Sequence, residues 1–206
     1  EVNLDAGSAG ILTDPGALTQ GTHTIFAVYS GDSLFATSFD TLANFVVGAA
    51  STTTTLTANP GSSVFGQSVN LTATVSWALG NPTVGNVHFT DDLGTDLGTV
   101  AVGAGGKATL ATTGLPVGTR TIFANYHDDT ANANFADSVG TINNYVVGAA
   151  STTTTVTANP GSSVFGQSVT FTATVTSATG TPPIGNNSVE FIDTTTGTVL
   201  GYGTPA

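Results

Sequence analysis

Residues 46–75 read VVGAASTTTTLTANPGSSVFGQSVNLTATV, and residues 146–175 read VVGAASTTTTVTANPGSSVFGQSVTFTATV. The two copies differ only at Leu56/Val156, Asn70/Thr170 and Leu71/Phe171. A repeat from position 46 to position 146 means tandem modules, because a fixed period of this kind is the signature of repeated structural units. Within the stretch, VVG closes one module, AASTTTT crosses over, and TLTANPGSSVFGQSVNLTATV opens the next. A unit of this length matches a two-sheet β-sandwich of about 100 residues.

The complete module spans 49–148. Its first strand is read over 53–58, a β-branched run that Asn59-Pro60-Gly61 breaks, since proline has no N–H and glycine frees the turn. Val69, Leu71, Ala73 and Val75 alternate with Asn70, Thr72 and Thr74, the period of two that marks a half-buried strand. Asn81-Pro82 signals a loop. Further strands are read at 87–90, 97–102, 108–112, 118–126 and 141–147, separated by the turns Asp91-Asp92-Leu93-Gly94, 103–106 and His127-Asp128-Asp129. Seven short strands with turns at this spacing predict an antiparallel sandwich. No stretch of a dozen residues carries a helical period.

The flanks read as halves of the same module. GTHTIFAVY at 21–29 matches GTRTIFANY at 118–126, so residues 1–48 are the back half. Residues 149–206 are the front half, ending where Val199-Leu200-Gly201 meets its counterpart. Joining Ala206 to Glu1 gives a strand–turn–strand run, as the middle module has near 97–112. A half sandwich would expose its core face and unpaired strand edges. Either the window is cut from a longer array, or subunits complete one another head to tail by strand donation.

Composition narrows the function. Only 7% of the 206 residues are charged, and 13 acidic residues against one Lys and one Arg give a net charge of −11. Nothing is present to neutralise phosphates, which opposes nucleic acid, and the acidity opposes an anionic membrane surface. With no Cys there are no disulfides or thiolate metal sites, so each module must hold by its apolar core. The sequence lacks an initiator Met and predicts a mature form or a fragment. No signal peptide and no apolar run long enough to insert into a membrane is seen within it.

The blocks STTTTLTANPGSSVFGQSVNLTATV, GNVHFTDDLGTDLGTVAVGAGGKATL and LPVGTRTIFANY resemble the bacterial immunoglobulin-like (Ig-like) tandem repeats of large surface and extracellular proteins. The middle module carries every block of that pattern, the N-terminal half carries the last, including Tyr29-Ser30-Gly31-Asp32, and the C-terminal half carries the first three. The resemblance implies an all-β chain of tandem antiparallel Ig-like β-sandwiches serving as a stalk, spacer or fibre unit outside the cell. One departure stands out: His127-Asp128-Asp129 replaces the family's Ser-Gly-Asp in the middle module.

Candidate chemistry is sparse. His23 aligns with Arg120 and His88 alternates with core residues, so both are expected to face solvent. With two Glu only, Glu1 and Glu190, a paired-Glu glycosidase is not expected. The candidate metal ligands are Asp91, Asp92 and Asp96 in one turn and Asp128 and Asp129 in another, as a calcium site, since hard cations take oxygen ligands. The competing explanation is that Asp suits turns by accepting from its own backbone. Lys107, beside Gly105-Gly106, is the one candidate amine for an isopeptide cross-link, against the ordinary reading of an exposed lysine. Trp77 stands where the other copy has Ser177, which predicts a peripheral aromatic: a contact patch or a partly covered loop side chain. The Thr runs are O-glycan candidates or simply strand-forming residues with their hydroxyls outward, and Asn70-Leu71-Thr72 and Asn186-Asn187-Ser188 match the N-glycan acceptor pattern.

These features predict a non-catalytic, cofactor-free structural protein, a head-to-tail homopolymer unit of an extracellular filament or cell-surface stalk. The alternatives are an adhesin segment whose loop tips bind a glycan or host-surface protein, and a spacer in a large secreted enzyme.

Overall fold

The computed structural model describes residues 9–14, 16, 18–131, 133–180, 182 and 189–203. In chain order its strands are β1 (Gly21–Tyr29), β2 (Ser38–Val47), β3 (Thr53–Asn59), β4 (Ser63–Val64), β5 (Val69–Ser76), β6 (Asn86–Asp91) and β7 (Asp96–Ala101). After a 3-10 turn (Ala104–Gly106) come β8 (Lys107–Thr112), β9 (Gly118–His127), β10 (Ser138–Gly148), β11 (Thr152–Asn159), β12 (Thr170–Ser177), β13 (Val189–Asp193) and β14 (Thr198–Gly203). The fold class is all-β, with no α-helix among the described residues. None of the described helices is long and apolar enough to cross a membrane.

Two compact units divide the chain: 1–57 with 71–110 and 122–142, and 58–70 with 111–121 and 143–206. The first holds β1, β2, β6 and β7 whole, and the second holds β4 and β11 to β14 whole. Strands β3, β5, β8, β9 and β10 run through both.

These continuous strands build a sandwich from a five-stranded sheet, β4-β10-β9-β6-β7, and a three-stranded sheet, β3-β5-β8. The period of two decides which side chains turn inward. Val69, Leu71, Ala73 and Val75 of β5 are all buried, as are Val87 and Phe89 of β6 and Ile122, Ala124 and Tyr126 of β9. Tyr145 and Val147 of β10 complete the layer. Burying such side chains is worth about 1.5–3 kcal/mol each, the force that holds a sandwich without disulfides.

The predicted strands are present, with three differences. A short strand, β4, forms after the Pro60-Gly61 turn and runs parallel to β10, with Val147 opposite Ser63 and Gly148 opposite Val64. This edge is parallel, as is the single bridge between Ala50 and Phe135, whereas β6 pairs antiparallel with both β7 and β9. Secondly, β10 begins at Ser138, earlier than the hydropathy pattern suggests. Polar contacts extend it: Ser138 Oγ lies 2.7 Å from both Thr52 Oγ1 and Thr54 Oγ1. Thirdly, the Thr run is not uniformly outward, because Thr54 is buried on the inner face between exposed Thr53 and Thr55.

The remaining strands form two-stranded sheets: β1-β2, β11-β12 and β13-β14. The β1-β2 ladder has a bulge between His23/Phe45 and Ile25/Leu42. Asn44 sits there at φ 59°, and Asn144 takes φ 58° at the matching place in β10. Asparagine tolerates the left-handed region better than other side chains, which explains its use in both copies.

Candidate functional site

The five acidic candidates do not converge. In the β6–β9 ladder Asp91 lies opposite Ile122 and Asn86 opposite His127. Asp91, Asp92 and Asp96 therefore cluster at one end of this ladder, and Asp128 and Asp129 at the other. Asp91 is buried, and its Oδ1 accepts from the backbone N–H of Leu93 (3.0 Å) and Thr95 (2.8 Å). Asp96 Oδ1 accepts from Gly98 N–H at 2.9 Å and lies 3.1 Å from His88 Nε2. Asp129 Oδ2 accepts from Asn86 Nδ2 at 2.6 Å. Among the described residues no three His, Cys, Asp or Glu side chains could together hold a metal ion.

Asp128 closes the loop that departs from the family pattern. Its Oδ1 accepts from the Thr130 hydroxyl (2.6 Å) and N–H (3.0 Å), and its Oδ2 accepts from Phe135 N–H at 3.1 Å. Asp32 does the same in the N-terminal half, with Oδ1 accepting from Leu34 N–H at 2.7 Å and Phe35 N–H at 2.8 Å. The structural counterpart of Asp32 is thus Asp128, although counting from the preceding tyrosines pairs Asp32 with Asp129. Burial works to raise the Asp128 pKa. The Thr130 and Phe135 hydrogen bonds and the nearby His127 outweigh it and hold the carboxyl below its ordinary value.

The histidines are apart and each has a local partner. His23 is half-buried, its Nε2 2.8 Å from the Thr19 carbonyl oxygen. Arg120 Nε donates to the matching Pro116 carbonyl at 3.3 Å. Both side chains thus fold back onto the loop before their strand, which corrects the solvent-facing expectation for this position. His88 does face solvent, and His127 Nδ1 lies 2.9 Å from Asp137 Oδ1. Lys107 is exposed at the start of β8.

Trp77 is half-buried, paired by backbone to Gly80 in a tight turn and packed against Phe135. Ala50 N–H donates to Asn134 O at 2.8 Å, and Ala136 N–H donates to Ala50 O at 2.9 Å. The aromatic pair thus sits where the chain enters the sandwich.

Three polar contacts, made by two side chains, escaped the sequence reading. Asn81 Nδ2 donates to Val75 O (3.0 Å) and Gly105 O (3.1 Å), tying the turn before β8 to the end of β5. Tyr145 Oη donates to Pro60 O at 3.0 Å. The acceptor motif at Asn186-Asn187-Ser188, together with Glu1 and the Ala206–Glu1 junction, lies outside the described residues.

The larger feature is apolar. Ile122 is fully buried in β9, while its counterpart Ile25 in β1 is 38% exposed. Tyr145 in β10 is 2% exposed against 42% for Phe45 in β2, and Leu71 in β5 is fully buried against 45% for Phe171 in β12. Side chains of one kind, on strands of one sequence, are covered in the sandwich and open in the flanking hairpins.

The sandwich built by the five-stranded and three-stranded sheets is Ig-like. Residues 56–148 match the family of bacterial Ig-like domains (group 3), so the resemblance carried by the sequence blocks holds. A solved structure, the tetra-tandem repeat in the extending region of a large adhesion protein, is similar over 98% of this chain and 50% of that one. The identity is 21% and the TM-score 0.44. The chain thus spans about half the length of that structure. No curated protein matches the chain.

Proposed function

We propose that this chain is a non-catalytic structural repeat unit of an extracellular filament or cell-surface stalk. Residues 49–148 are its complete Ig-like domain. Residues 1–48 are the C-terminal half of such a domain and residues 149–206 the N-terminal half, each completed by complementary strands. The observation that carries this reading is the exposure of Ile25, Phe45 and Phe171 where Ile122, Tyr145 and Leu71 are buried. Each such side chain left in water forgoes about 1.5–3 kcal/mol. Over half a domain the loss approaches the ~5–15 kcal/mol stability of a whole one.

The surface chemistry agrees with a scaffold. The histidines and carboxylates described above are held by local hydrogen bonds, and no nucleophile–base–acid set converges among the described residues. The sparse Lys and Arg leave strand edges without the charges that usually guard them against pairing. The same scarcity removes sites for trypsin-like proteases, which suits an exposed fibre. The adhesin alternative draws less support, because the Trp77 ring packs against Phe135.

Electron microscopy over a range of concentrations tests this. Extended, beaded strands are expected, with each ~100-residue domain adding roughly 35–45 Å, or about 70–90 Å per chain. Separate compact particles at every concentration would contradict the reading.

A further inference from the structure

The two near-identical copies form the same local turn. In the first, Gln67 N–H donates to Val64 O at 3.0 Å, and Val64 N–H donates to Gln67 Oε1 at 3.0 Å. In the second, Gln167 and Val164 make the same two bonds at 3.0 and 3.2 Å. Gly66 and Gly166 take φ 77° and 85° in these turns. Phe65 N–H donates to Gly148 O at 2.9 Å, which puts the first turn where the chain leaves the sandwich.

The surroundings of the two turns differ. A Cβ on Gly66 would collide with Thr179 O, and one on Gly180 would touch the Phe65 ring at 4.0 Å. A Cβ on Gly166 meets no described atom within 4 Å. Since the turn is the same in both copies, Gly66 is covered by turn 177–180 of the following repeat and not by its own local fold. Thr179 N–H donates to Ser177 Oγ at 3.4 Å, and Thr179 Oγ1 is buried without a partner among the described residues.

The place where the chain enters the sandwich has a contact of its own. The Asn134 carbonyl accepts from Ala50 N–H at 2.8 Å, while Asn134 Oδ1 accepts from Gln20 N–H at 2.7 Å. Gln20 lies in the loop before β1, which His23 holds through Nε2, 2.8 Å from Thr19 O. The compact units follow these contacts and not the repeat. One joins β1 and β2 to residues 71–110 and 122–142, and the other joins β11 to β14 to residues 58–70 and 111–121.

We infer that the crossovers 48–52 and 149–151 are fixed joints, in which loops at the exit of one repeat dock on loops at the entry of the next. The inference rests on the structural reading above and gives the stalk a source of stiffness. Neighbouring domains on a plain linker move relative to one another by default. A short linker also holds the loops at high effective concentration, so a small contact suffices to close the joint. The joint residues are where the copies part: Trp77 and Leu79 stand in one and Ser177 and Thr179 in the other, and Asn134 stands where the earlier repeat has Leu34. Each joint thus uses its own contacts on a common backbone.

The chain has no cysteine, so paired spin labels on engineered thiols can report each joint. Thr41→Cys with Thr99→Cys reads the first joint, and Ala111→Cys with Thr155→Cys the second, all four positions being exposed. With the labelled 206-residue chain diluted into unlabelled chain, electron–electron resonance should give a single narrow distance for each pair. Asn134→Leu should broaden the first distance only. Gly66→Ala should broaden the second only, because its Cβ drives the turns apart. Gly166→Ala carries the same strain at positive φ without a neighbour, and should leave both distances narrow. Broad distances in the unsubstituted chain would overturn the joints, as would narrow ones that neither Asn134→Leu nor Gly66→Ala broadens. Micrographs judge the structural reading separately: beaded strands with broad distances sink the joints and leave that reading standing, whereas narrow distances in particles that never associate do the reverse.

Discussion

The Trp77 indole meets the Phe135 ring edge to face, with centroids 5.4 Å apart and ring planes at 73°. Phe135 belongs to the segment that grips Ala50 by two backbone hydrogen bonds, so the pair fastens the incoming chain to the top of the sandwich. Replacing Trp77 by serine, the residue its other copy carries, should cost about 0.5–1.5 kcal/mol from the lost ring pair. For a domain of this size that lowers Tm by about 4–8 °C per kcal/mol, readable by calorimetry. An unchanged Tm would show that the ring pair contributes nothing to stability.

Gly106 takes φ +70°, and a Cβ built there would collide with Val75 O and lie 2.9 Å from Asn81 Cβ. Gly106→Ala therefore forces the turn away from Asn81 and strains the backbone. A loss of about 1–3 kcal/mol is expected in denaturant unfolding. Gly105, also at positive φ but with open space at its Cβ, should lose less on the same substitution.

Two groups set opposite ends of the pH profile. Asp128 has its pKa lowered on folding, so its contribution is complete above the ordinary value near 3.8 and is lost as pH falls through the folded value. Tyr126 is pushed up to about 12, first by burial and then by the charges of Asp128, Asp137 and Asp129. Its contribution is complete below pH 10 and disappears as pH rises towards 12. Asp128→Asn should flatten the acid limb and lower the Tyr126 value, measurable by tyrosinate absorbance.

Calcium provides a separate check on the acidic turns. Asp91, Asp96, Asp128 and Asp129 already serve backbone or side-chain donors of the protein. Millimolar calcium followed by chelation should leave Tm unmoved, whereas a site filled well above its Kd stabilises by RT ln(1 + [L]/Kd). A reversible rise in Tm would restore the metal reading.

The seven main strands were legible because a half-buried sheet writes itself as alternation, as at Val69, Leu71, Ala73 and Val75. The β4 strand was not, since two residues cannot display a period. Ser138 was missed for another reason: hydroxyl contacts from Thr52 and Thr54 extend β10, and hydropathy is blind to them. The Asp residues were visible as turn formers, but the two ends of the β6–β9 ladder separate them, and linear spacing cannot show that. Trp77 could be placed at the periphery by its exchange for Ser177, yet its partner Phe135 lies far along the chain. Asn44 and Asn144 carried a readable signal for the bulge, asparagine being tolerant of positive φ.

Amide hydrogen exchange along β1 tests most directly whether the open hairpins become covered. In assembled material the amides of Ile25 to Tyr29 should reach the protection of Ile122 to Tyr126, because both strands would then stand inside the same kind of sheet. If the β1 amides keep exchanging as rapidly in concentrated samples as in dilute ones, while those of β9 stay protected, the flanking halves are not completed by a partner.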